Sequence, residues 1–156
     1  MKKIVLLVLT HLAALAVGFA GGIYALPILI APEPPATTEV QAMAETAQYT
    51  AEFRRDLQDS DGLHWGEGKV FISNTSIALE GSVAPGPDYK LYLSPEFVET
   101  EVDFNALKSS MMRVGEVKTF DNFIVELPAG VEVSDYTTVI VWCETFGEFI
   151  TAAQYR

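Results

Sequence analysis

The chain has 156 residues, 10 of them basic and 21 acidic, for a net charge of −11 at neutral pH. Lys2 and Lys3 precede a long apolar run, so everything beyond it carries 8 basic residues against 21 acids, a balance of −13. A surface of that sign repels phosphates and anionic headgroups, which excludes nucleic acid as a partner. One cysteine, Cys143, excludes an internal disulfide.

The apolar run extends from Ile4 to Ala31 and is interrupted in polarity only by Thr10 and His11. About 20 apolar residues cross a bilayer as a helix, and this run exceeds that. Lysines at its start stay on the cytoplasmic side and send the rest of the chain outward. A cleaved signal peptide is the competing reading, with Gly18-Phe19-Ala20 as the small-residue site and Ile4 to Val17 as the apolar core. Strong hydrophobicity resumes after Gly21-Gly22, which a spanning helix requires and a signal peptide does not. Residues 1–31 are therefore expected to anchor the protein in a membrane, with the domain in the periplasm or at the cell surface.

Residues 32–48 read as a linker. Pro32, Pro34 and Pro35 forbid a continuing helix, and Thr37-Thr38-Glu39 has little to bury. The alanines from Val40 to Ala47 permit a short helical turn, and the expected role is a spacer lifting the domain from the membrane.

From Tyr49 the pattern changes to a period of two. Residues 49–57 alternate as a half-buried strand, and Lys69–Ser73 and Ser76–Glu80 flank a turn at Asn74-Thr75. Tyr89–Leu93, Val114–Lys118, Asn122–Leu127 and Thr137–Cys143 continue the series, separated by Pro85-Gly86-Pro87-Asp88, Phe120-Asp121 and Pro128-Ala129-Gly130. Only Phe104 to Met112 has a helical pattern. Short strands with turn signals at this spacing predict an all-β, sandwich- or barrel-like antiparallel domain over 49–156. Both tryptophans and eight of the nine phenylalanines lie beyond residue 31, enough for an ordinary core.

Three stretches could carry chemistry. In Asp61-Gly62-Leu63-His64-Trp65-Gly66-Glu67-Gly68, His64 is the only histidine outside the apolar run. It is either hydrogen-bonded in a turn or a ligand for a metal or haem. Asp59-Ser60-Asp61-Gly62 lacks the further ligands of a calcium loop. Gly86, Pro87 and Asp88 form a structural turn into a strand. In Val139-Ile140-Val141-Trp142-Cys143, alternation puts Cys143 on a face with Val139 and Val141, and Trp142 on the other with Ile140. Cys143 is a buried inert thiol, a point of intermolecular pairing, or a ligand or redox group.

Missing motifs narrow the field. There is no Cys-x-x-Cys-His for covalent haem and no Cys-x-x-Cys dithiol. A blue-copper site needs a second exported histidine, and no Gly-x-Ser-x-Gly elbow supports a hydrolase.

The strings His64 to Val70, Gly86-Pro87-Asp88 leading to Leu91-Tyr92-Leu93-Ser94, Val114 to Lys118, and Val139 to Phe146 followed by Ala152-Ala153 resemble the DM-thirteen domain. The resemblance spans about Tyr49 to Tyr155. It implies a small β-rich extracytoplasmic domain whose near-terminal cysteine takes part in electron transfer, here Cys143, with His64 as a possible ligand. The cofactor is left unknown, haem or a metal being possible. It also implies a redox partner protein, because this chain has no DOMON or cytochrome module. A non-redox binding or scaffolding module of the cell envelope is the alternative.

Overall fold

The computed structural model describes residues 1–156. Helix α1 (Lys2–Ile30) is long and apolar enough to cross a membrane, and none of its residues is buried within the protein. It continues through Pro27 to its end. A proline there removes one backbone donor, and only the final turn lies beyond it to be disturbed.

The rest of the chain forms two four-stranded sheets. The first runs β1 (Tyr49–Phe53), β2 (Gly66–Ile72), β3 (Ser76–Val83) and β6 (Asp121–Glu126). The second runs β5 (Met112–Val117), β4 (Tyr89–Ser94), β7 (Thr138–Cys143) and β8 (Glu148–Gln154). Every neighbouring pair is antiparallel. One cluster of 19 buried side chains fills the space between the sheets, with Val70, Leu79, Leu91, Val139 and Val141 fully buried in it. The architecture is sandwich-like.

A second cluster lies on the outer face of the β4–β7–β8 sheet. Helix α3 (Glu101–Leu107) covers that face and presses Phe104 against Trp142, the rings stacked at 3.9 Å and 10°. Tyr92 meets Phe104 edge-on at 5.2 Å. Because both faces are covered, all six residues of β4 and all six of β7 are buried. Alternation in β7 is as its sequence predicts: Val139, Val141 and Cys143 face the inter-sheet core, and Ile140 and Trp142 the outer cluster.

The domain is not wholly β. Helix α2 (Thr37–Ala44), α3 and two single turns of 3-10 helix interrupt the strands. Helix α3 starts at Glu101, ahead of the expected Phe104, because Thr100 caps it. Its hydroxyl oxygen accepts from the Asp103 amide at 3.1 Å, satisfying a free donor of the first turn. Strand β1 stops at Phe53 and not at Leu57, which turns away to pack in the outer cluster. Strand β8 was not expected from sequence. Its five consecutive buried residues and its alanine pair give neither a period of two nor a high β propensity.

Residues 37–44 dock on the first sheet and do not act as a free spacer. Val40 is fully buried, and Gln41 Nε2 donates to Glu80 Oε1 at 3.2 Å. Asn122 ties the preceding turn down, donating to the Pro35 carbonyl at 3.2 Å and accepting from the Gly81 amide at 3.0 Å. A hydrophobic side chain every helical turn can bury against a sheet wherever the sheet leaves apolar surface uncovered.

The ring stack sets a stability expectation. Phe104→Ala should destabilise the domain by about 3–5 kcal/mol, the range for deleting a buried aromatic, in urea unfolding followed by tryptophan fluorescence. Phe104→Leu, which keeps most of the volume, should cost less than half of that.

Candidate functional site

Strands β4 and β7 pair so that Tyr89 stands directly opposite Cys143. Two loops close over that end of the pair. Pro85-Gly86-Pro87-Asp88 feeds β4, and Glu144-Thr145-Phe146-Gly147 joins β7 to β8. Asp88 connects them: its carbonyl accepts from the Glu144 amide at 3.0 Å, and its Oδ2 from the Thr145 hydroxyl at 3.1 Å. Its Oδ1 lies 2.7 Å from Lys90 Nζ, which holds the Asp88 carboxyl below its usual range. Gly147 has φ of 72°, a left-handed conformation that glycine adopts without strain, and its amide returns to the Cys143 carbonyl at 2.9 Å. Gly86 is small for a different reason. A Cβ there would overlap the Tyr89 ring and hydroxyl, so glycine lets that ring lie against the loop.

Cys143 is 2% exposed and is a free thiol. Burial pushes it above its ordinary value of 9.0, and the nearby backbone N–H groups of Phe146, Asp88 and Thr145 pull less strongly the other way. Tyr89 is 4% exposed, and burial, then the neighbouring Cys143, pushes its phenol upward. Its hydroxyl has no hydrogen-bond partner, unlike those of Tyr92, bonded to Glu144, and Tyr155, bonded to the Val133 carbonyl.

His64 reaches the same place from the first sheet. Asp61 folds the segment before it into a turn, its Oδ1 accepting from the Leu63 amide at 2.7 Å and the His64 amide at 2.8 Å. These bonds, with the imidazole beside the carboxyl, hold Asp61 below its usual range. Asp61 also receives His64 Nδ1 at 3.1 Å. With Nδ1 donating, Nε2 is the free ring nitrogen and accepts a proton when the ring is neutral. Arg55 fixes the far side of the segment, stacked 3.3 Å over Trp65 and bonded twice to Glu67 at 2.7 and 2.8 Å.

His64, Tyr89 and Cys143 all line one cavity of about 250 Å3, together with Glu148, Ile150 and the α1 residue Tyr24. Gly86 and Pro87 form part of its wall. Trp142 does not; it lies on the opposite face of β7, its indole nitrogen without a partner. Sequence reading named Cys143 and His64 but not Tyr89, Asp61 as the imidazole's partner, or Glu148. Tyr89 was signalled by the Gly-Pro-Asp turn immediately before it, which fixes where the strand starts.

One family model matches the chain, Electron transfer DM13, over residues 53–155. The chain belongs to the electron transfer DM13 family. No curated protein and no solved structure matches it. In this DM13 domain, no group of three or more histidine, cysteine, aspartate and glutamate side chains is gathered to hold a metal ion. A closed metal centre takes about four protein ligands and an open one about three, so these residues do not fit a protein-only metal site. The cavity does not fit a haem either. An apolar cavity of about 150 Å3 accepts one benzene, which scales the space beside Cys143 to one substituted ring and not a tetrapyrrole.

Burial of the thiol sets two expectations. In the folded protein, alkylation of Cys143 by iodoacetamide at pH 8.5 should run at least about tenfold slower than for an unhindered cysteine, and recover in guanidinium. Its raised value also means that folding binds the thiol proton. The associated stability is complete at low pH and declines as pH rises past 9.0, where the unfolded thiol ionises first. Denaturation midpoints between pH 8 and 10 should fall less steeply in Cys143→Ala than in the parent.

Proposed function

We propose that this protein is a membrane-anchored, extracytoplasmic electron-transfer module whose redox-active group is the Cys143 thiol. Membership of the electron transfer DM13 family supports the class of function. One structural observation carries the assignment to Cys143: the thiol shares its cavity with a base, His64, whose free nitrogen is defined by Asp61. A single buried thiol cannot close an internal disulfide, and the step we assign to it is a one-electron oxidation. The electron passes to a one-electron acceptor in a partner protein, the S–H proton passes to His64 Nε2, and a thiyl radical remains. The apolar walls of the core around Cys143 protect that radical.

The anchor reading is supported by the length of α1. Its 29 residues extend about 43 Å, against roughly 30 Å of hydrocarbon, so the helix crosses with turns to spare. Lys2 and Lys3 at its start favour an inward amino terminus, which supports a domain in the periplasm or at the cell surface. The acidic excess of the domain favours a partner with a basic face.

The burial of the thiol and its raised pKa favour a second reading, a non-redox binding module in which Cys143 is a small apolar wall residue. One comparison separates the two. Full-length protein in membranes, oxidised by a photogenerated one-electron oxidant, should give a sulfur-centred radical by spin trapping that Cys143→Ser abolishes. His64→Gln should slow its appearance several-fold. A Cys143→Ser protein with an unchanged radical yield and a native fold would transfer the assignment to the binding module. Recovery of the protein in the soluble fraction with Gly21 as its first residue would remove the anchor.

A further inference from the structure

The cavity that holds Cys143 is closed on one side by the membrane helix. Ala20, Ile23 and Tyr24 of α1 form part of its wall, opposite Tyr89, Cys143 and Ile150. Counting about 1.5 Å per residue from Ile4, a roughly 30 Å hydrocarbon layer ends near Tyr24. A tyrosine at that level is the usual interfacial anchor. The cavity therefore lies where the acyl chains give way to headgroups. Leu63 and Phe146 flank it on the domain side, 59% and 52% exposed, two large apolar residues that an aqueous surface would not favour together.

Its chemistry is selective. Most of the lining is apolar, and the space suits a single substituted ring. One donor, the Tyr89 hydroxyl, belongs to a 96% buried residue and has no partner in the protein; one acceptor, His64 Nε2, is left free by Asp61. No lysine or arginine lines the cavity, and Glu148 does, so a carboxylate or phosphate headgroup would meet repulsion with no cation to offset it. A neutral ring with an oxygen that accepts from Tyr89 at one side and a hydroxyl that donates to His64 at the other satisfies both polar groups.

We propose that this cavity binds the head ring of a membrane-dissolved hydroquinone, admitted from the lipid between α1 and the loops bearing Leu63 and Phe146. The proposal rests on the anchored, outward-facing reading above and names the small molecule that meets the Cys143 site. One ring hydroxyl accepts through its oxygen from Tyr89, the other donates to His64, and the isoprenoid tail remains in the bilayer. Ordinary phospholipids are excluded by the absent cation, and water-soluble rings by the position of the opening.

The test uses full-length protein in phosphatidylcholine nanodiscs, with isoleucine δ1-methyl groups labelled for NMR. The probe is a 1,4-benzohydroquinone carrying a ten-carbon tail, kept reduced with ascorbate, and oleate is the comparison. Saturable shifts at Ile23 and Ile150, complete near one equivalent and absent with oleate, are expected. Tyr89→Phe should weaken binding about three- to tenfold, the effect of losing one hydrogen bond. Ala20→Phe fills the cavity from the helix and should abolish the shifts. The core methyls Ile72 and Ile77 stay at their native positions if that variant is folded. Shifts spread along α1 at Ile4, Ile28 and Ile30 alone, equal shifts with oleate, or an unaffected folded Ala20→Phe variant would each overturn the proposal. The titration needs no electron transfer. Binding retained in Cys143→Ser therefore upholds the hydroquinone site even where the redox reading has failed, and no binding by protein whose thiol is redox-active overturns the site alone.

Discussion

The β4–β7 register is the constraint on which the rest of the structure depends. These two strands are the centre of the second sheet, and each is buried on both faces. A slip of one residue would send Leu91, Leu93, Val139, Val141 and Cys143 out of the inter-sheet core and put Tyr92, Ile140 and Trp142 in their place. Asp88 fixes the register at the end of the pair that carries the cavity. It does so with a backbone bond to Glu144, a side-chain bond to Thr145 and an ion pair to Lys90. Without that register Tyr89 and Cys143 would not face each other.

Polar groups in this sheet are few and matched. Lys90 is 8% exposed, and burial works against its charge, yet Asp88 and Glu116 at 2.7 and 3.0 Å outweigh that and raise its pKa. Burial likewise disfavours the Glu144 carboxylate, and Lys108 at 2.8 Å with the Tyr92 hydroxyl outweighs it, so its pKa is lowered. In a chain with twice as many acids as bases, these cations are placed where a carboxylate would otherwise be buried alone. The Trp142 indole nitrogen and the Thr151 hydroxyl are the contrast, buried without a partner. Tyr89 and Trp142 face opposite sides of the sheet, and it is Tyr89 that lines the cavity.

The site is assembled from segments distant in sequence. His64 comes from the loop between β1 and β2, Tyr89 from the start of β4, Cys143 from the end of β7 and Tyr24 from the apolar helix. Local devices hold the first two: the Asp61 turn positions His64, and Gly86 makes room for the Tyr89 ring. The helices α2 and α3 lie away from the cavity, α3 covering the far face of the second sheet and α2 the first sheet.

The sequence by itself determined the apolar helix, the β class, most strands, the alternation in β7 and the family. These are signals of local period and composition, and short-range sterics and solvent exposure impose them directly. Tertiary structure alone decided β8, the extent of α3, the docking of α2 and the membership of the cavity. Strand β8 is buried on both faces, so its pattern has no polar side to read, and Val40 was unremarkable until the first sheet offered it a surface. Cys143 was conspicuous as the only cysteine and His64 as the only histidine outside the apolar run, but nothing local brings them to one cavity. Their meeting depends on how two sheets stack, and that is set by the burial of whole faces, which no single segment encodes.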